Sequence, residues 1–208
     1  MSKYDHDEFN KRMMLSQKMF YAIERKLRDF LDYVPLDSEH LNVYSLKLVE
    51  IILETGPEVI SSFDLLVFPN PCQRIVRHRE RREELLEKER CLRKQSPPRS
   101  LSFKKYRDFL SEVGPDIAEA IVEIKELDDR VTPFEEKKPD WWNVYNRLKH
   151  DKYSILKDAT LLIALKSLAA LYVLIYYHYD LFIDFAPVGR PEFISYLFKL
   201  SSIRKEKG

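Results

Sequence analysis

The run Leu161–Tyr177, LLIALKSLAALYVLIYY, constrains the fold of this chain more than any other stretch of it. It contains one charge, Lys166, and neither glycine nor proline. A membrane span requires about 20 clean apolar residues, and the run falls short of that, so it is expected to be a buried core helix. A helix that is apolar all round must be walled in on every side. With four glycines among 208 residues, neither a glycine-rich phosphate loop nor the many tight turns of a sandwich or barrel is expected. The expected fold is therefore all-α, a helical bundle of five to seven helices around this central apolar helix. A chain of this length buries roughly 70% of its unfolded surface and needs no disulfide or metal staple. Residues 1–208 read as a single domain.

Apolar residues at three- and four-residue spacing mark out the walls. Leu15, Met19, Ala22, Ile23, Leu27, Phe30 and Leu31 form one stripe, which Pro35 ends. Asp37 or Ser38 can cap a second helix with Leu41, Tyr44, Leu48, Ile51 and Ile52 inside, and Gly56-Pro57 breaks or kinks it. Ile117 to Leu127 reads as helix, residues 128–138 as loop, and Asp140 to about Tyr153 as a helix whose first turn suits Pro139. Asp158 or Thr160 can cap the apolar helix, and Glu192 to Ser201 reads as a short last one. Period-two alternation is nowhere sustained, so strands are not expected.

A formal net charge of +1 excludes a bulk electrostatic commitment to nucleic acid, but it hides an asymmetry. Between Arg74 and Arg107, thirteen Lys and Arg oppose five Glu, a net +8. Between Asp108 and Asp140, eleven acids oppose four cations, a net −7. Arg and Glu interleave at helical spacing around residues 79–88, which favours an exposed, self-satisfied charged helix within a net basic insertion at about 72–107. The alternative is a basic arm for RNA or another polyanion. Cys72 and Cys91 both fall in this charged stretch and read as reduced thiols of a cytoplasmic protein. Residues 1–10 are too polar for a signal peptide, and no membrane segment is expected. The five His are scattered and no acid pair accompanies them at ligand spacing, so neither a metal site nor a cofactor is expected.

One segment has chemical content: Asp140 to Lys152, DWWNVYNRLKHDK. On a helical wheel Trp141, Val144, Tyr145 and Leu148 fall together as the core face. Asn146 and His150, four apart, lie together on the far side, with Trp142, Lys149 and Tyr153 bordering them. Trp142 is a poor residue for bare surface, so a partner or a covered groove is expected there, and with it a homodimer. A His beside Lys and Asn can bind a phosphate or move a proton near neutral pH.

The run Trp141-Trp142-x-x-Tyr145-Asn146-x-x-Lys149-His150-Asp151, followed by an Ala-rich apolar helix, resembles the HEPN superfamily of helical-bundle proteins. More narrowly it is similar to a prokaryotic branch with a WW-x-x-YN-x-x-KH signature. Asn42-x-Tyr44-Ser45 and Glu58-Val59 belong to the same resemblance, which spans roughly residues 31–177. Active members are metal-independent RNases of toxin, phage-defence and CRISPR-associated systems, with an R-N-x-x-x-H motif shared across a dimer. The resemblance implies His150 as catalytic acid or base, Asn146 as its orienting neighbour, and RNA or a nucleotide as ligand. It also implies a homodimer, and an antitoxin or other protein as partner. The family's Arg falls on Tyr145, and Arg147 and Lys149 are the cations near enough to replace it, although Arg147 points about 100° away from Asn146. Trp142, Tyr145 and Tyr153 would line the binding face. Two readings stand: a metal-independent endoribonuclease or RNA-binding protein, and a non-enzymatic helical interaction or dimerisation module.

Overall fold

The computed structural model describes residues 3–67, 103–104, 106–108, 115–136, 138–182 and 193–201. The elements follow in the order α1 (Lys3–Leu31), α2 (Leu46–Val67), α3 (Pro115–Ala118), β1 (Val122–Ile124), β2 (Asp129–Val131), α4 (Asp140–His150), α5 (Leu161–Phe182) and β3 (Phe198–Leu200). The protein is mostly helical, with one small sheet. The net basic insertion at 72–107 lies, apart from residues 103–104 and 106–107, outside the described residues, as do Cys72 and Cys91.

The apolar run forms α5, and it is the centre of the molecule: every side chain from Leu168 to Ile175 is buried. Its window Leu161–His178 is long and apolar enough to cross a membrane by length and composition. Here α1, α2 and α4 cover it instead. Thr160 caps it, its Oγ1 accepting the Ile163 N–H at 3.4 Å. Two backbone bonds stitch its start to the chain before α2: Leu161 N–H to Val43 O (2.9 Å) and Leu162 N–H to Leu41 O (3.0 Å).

The walls depart from the expected stripes in detail. On α1 the buried positions are Ser16, Phe20, Ile23, Glu24 and Leu27, whereas Leu15 and Met19 are exposed. The stripe is shifted around the helix because a buried Ser and Glu belong to it. Helix α2 starts at Leu46, not at Asp37: Ser45 Oγ accepts the Leu48 N–H at 3.2 Å. Asp37 Oδ1 instead accepts from the Glu39 and His40 N–H groups, closing a local turn. The helix continues through Gly56-Pro57 and includes Pro57, so this pair does not end it.

The expectation of no strands is overturned. β1 pairs antiparallel with β2 and with β3, giving the order β2-β1-β3, with Val122 opposite Val131 and Leu200. The stretch expected as helix from Ile117 to Leu127 is helical only as far as Ala118, and the expected loop and last helix supply β2 and β3. Asp128 closes the β1–β2 turn with φ 50°, a left-handed conformation that Asp tolerates better than most residues. Strands of three residues leave no room for a repeated alternation, and β1 meets β3 across some seventy residues of chain.

Candidate functional site

Helix α4 is shorter than expected, ending at His150 rather than near Tyr153. Asp151 stops it: its backbone is extended (φ −149°), and its carboxylate Oδ1 accepts the N–H groups of Tyr153 and Ser154. The Ser154 side chain, together with these Ser154 and Tyr153 N–H groups, holds the Asp151 carboxyl below the ordinary carboxylate pKa. Pro139 is the residue just outside the helix, and Asp140 begins it. Asp140 Oδ2 takes Lys166 Nζ at 2.5 Å, so the one cation of the apolar run ties the start of α4 to α5.

The core face of α4 is the one expected. Trp141, Val144, Tyr145 and Leu148 are all buried. Trp141 donates its indole N–H to Pro133 O at 2.9 Å. Arg107, packed on the same turn, donates to Phe134 O (2.9 Å) and Glu135 O (2.7 Å). The Tyr145 ring lies directly against the backbone of Gly56 on α2, where no Cβ would fit. Burial raises its phenol pKa. Trp142 is half-buried, with its ring 4.7 Å from Phe103, 5.2 Å from Tyr145 and 5.7 Å from Trp141. Part of its cover thus comes from the same chain, through Phe103.

The remaining site residues divide into committed and uncommitted groups. Asn146 turns back along its helix, donating Nδ2–H to Trp142 O at 2.9 Å. Arg147 leaves for Asp158, at 2.6 Å; Arg147 is exposed and Asp158 half-buried. Lys149 behaves differently: its ammonium stands 4.7 Å over the centre of the Tyr145 ring. His150 and Lys149 are exposed at the end of α4, and Tyr153, 86% exposed, follows in the next turn. Tyr145, Asn146, Lys149 and His150 therefore share one end of α4, and Arg147 does not join them.

Two features of the site escaped sequence reasoning. Gly56 is the seat of Tyr145, and its signal was a glycine inside an otherwise helical apolar stripe. Asp158 neutralises Arg147 across the α4–α5 connection, a pairing of residues eleven apart that helical spacing does not reveal. Among the described residues no group of three His, Cys, Asp or Glu could hold a metal ion. The chain matches no protein-family model, no curated protein and no solved structure.

Proposed function

We propose that this chain is a HEPN-like helical protein that binds the phosphate of RNA or a nucleotide at the end of α4, through Lys149 and His150. Its setting would be a prokaryotic defence or toxin-type system, in the cytoplasm. The observation that supports this reading best is the seat of Lys149. Its ammonium rests on the ring of the residue that stands where active HEPN proteins have Arg. The Tyr145 ring thereby seats a cation at a motif position where its own side chain provides none.

The chemistry available to these residue types is metal-independent cleavage of RNA. His150 would take the proton of a ribose 2′-OH as that oxygen attacks the neighbouring phosphorus, or give a proton to the departing 5′-oxygen. Lys149 would offset the added charge on the phosphoryl oxygens. The products would be a 2′,3′-cyclic phosphate and a free 5′-OH.

Two observations favour a second reading, a non-enzymatic interaction module: Asn146 is occupied by its own helix, and Arg147 by Asp158. Incubating purified protein with RNA in EDTA separates the two. The enzymatic reading expects cyclic-phosphate ends, and a loss of roughly 10²–10⁴ in rate for His150→Ala with the fold intact. RNA binding without cleavage would leave the phosphate-binding reading alone. Absence of both would leave the interaction module.

A further inference from the structure

The turn that follows α4 decides what its arginine can reach. Over residues 147–158 four cations, Arg147, Lys149, Lys152 and Lys157, oppose two carboxylates, Asp151 and Asp158. Asp151 stands one helical turn beyond Arg147, but its Oδ1 is taken up by the Tyr153 and Ser154 N–H groups. Asp158 takes Arg147 instead, Nη1 to Oδ2 at 2.6 Å, and Arg147 has no other ion pair among the described residues.

Asp158 is the fixed member of that pair. It closes a 3₁₀ turn, Leu156–Asp158, in which its N–H donates to Ile155 O (2.9 Å) and its own C=O accepts the Thr160 N–H (2.9 Å). Ile155 and Ala159, on either side of the turn, are buried and anchor it. Arg147, by contrast, is an exposed side chain with many rotamers. A pair whose side chains are 57% and 42% exposed holds together by a factor of roughly five at most, because water and salt screen it. A phosphate or a change at Asp158 can therefore redirect Arg147 without disturbing the fold.

Around the axis of α4, Arg147 is nearer to His150 than Lys149 is. At about 100° per residue, Arg147 lies about 60° from His150 and Lys149 about 100°, on the opposite side. The two cations thus flank the histidine, yet only Lys149, seated over the Tyr145 ring, stays with it. We propose that the Arg147–Asp158 ion pair is an autoinhibitory contact: Arg147 is a second phosphate ligand of this site, and Asp158 withholds it. The proposal rests on the phosphate-binding reading of Lys149 and His150 and adds a restraint to it. Neutralising Asp158 releases the guanidinium toward a phosphate beside His150, which it can grip with two parallel N–H donors where an ammonium acts as a point charge.

Binding of a labelled single-stranded RNA to the full chain, read by fluorescence anisotropy at two salt concentrations, tests it. Asp158→Asn, with Asp158→Ser as a second variant, should bind about tenfold more tightly with helical circular dichroism unchanged. Both should steepen the salt slope by about one, the signature of one added phosphate contact. In an Arg147→Ala background the same substitutions should leave the slope where it was. An unchanged slope in both single variants would overturn the proposal. So would an equal gain with and without Arg147, since loss of a repelling carboxylate would then account for it. If Lys149→Ala flattens the slope and Asp158→Asn does not steepen it, the restraint falls and the phosphate site stands. If neither the wild type nor any variant binds RNA, both fall.

Discussion

The ring of Tyr145 occupies the space that a Cβ on Gly56 would need. Helix α4 packs this ring against the bare backbone of α2 there. Tyr145 is therefore part of the core, and its identity is tied to a glycine far away in the chain.

Gly56→Ala should accordingly cost stability although Ala is the better helix former. Overpacking of a filled core costs typically 1–3 kcal/mol, more than the ~1 kcal/mol that helix propensity returns. Urea unfolding of Gly56→Ala, Tyr145→Val and the double variant would measure it. The double variant should be more stable than the sum of the singles predicts, because the smaller side chain vacates the clash. Additivity would mean that the two residues do not share this space.

Placing an Arg at Tyr145, where the HEPN resemblance would set the motif's Arg, should not create a nuclease. A guanidinium there would replace a buried ring and bury a cation without a partner, one of the changes that destabilise most strongly. Thermal unfolding should show a large drop, with no gain in RNA cleavage in EDTA. A stable, newly active variant would show that the position is open to solvent and to substrate.

Much of the fold was legible because it rests on local periodicity. The α5 run and the Trp141, Val144, Tyr145 and Leu148 face follow from three- and four-residue spacing alone. The partner of Lys166 was not legible, since Asp140 is reached only through the packing of α4 on α5. The sheet was not legible, because β3 reaches β1 through contacts that the spacing of neither segment encodes. Sequence also put Met19 and Leu15 inside with Ile23 and Leu27, having no means to see that the polar Ser16 and Glu24 are among the buried residues of α1. At the site, the wheel placed Asn146 and His150 correctly off the core, but the engagement of Asn146 by Trp142 O and of Arg147 by Asp158 depends on rotamers.

His178 gives the protein a pH dependence with a definite sign. It is fully buried on α5, its Nε2 is 2.9 Å from Ser62 O, and burial pushes its pKa down to about 4. Folded, it stays neutral below the ordinary value near 6.5, while the unfolded chain takes up the proton. Its contribution is therefore complete above about pH 6.5 and is lost as pH falls toward 4. By linkage the loss between pH 7 and pH 5 is about 2 kcal/mol. Urea unfolding of the wild type and His178→Gln at those two pH values should show the extra loss only in the wild type. An equal slope in both would remove His178 as its source.

The most direct test of the functional account is the titration of a labelled single-stranded RNA with the protein, followed by fluorescence anisotropy at two salt concentrations. Saturable binding that weakens with salt is expected. Lys149→Ala should weaken it and reduce the salt slope by about one, as loss of one phosphate contact requires. Arg147→Ala should change it little, because Asp158 already holds that cation. Salt-dependent binding untouched by Lys149→Ala, or no binding at all, would contradict the assignment of a phosphate site to the end of α4.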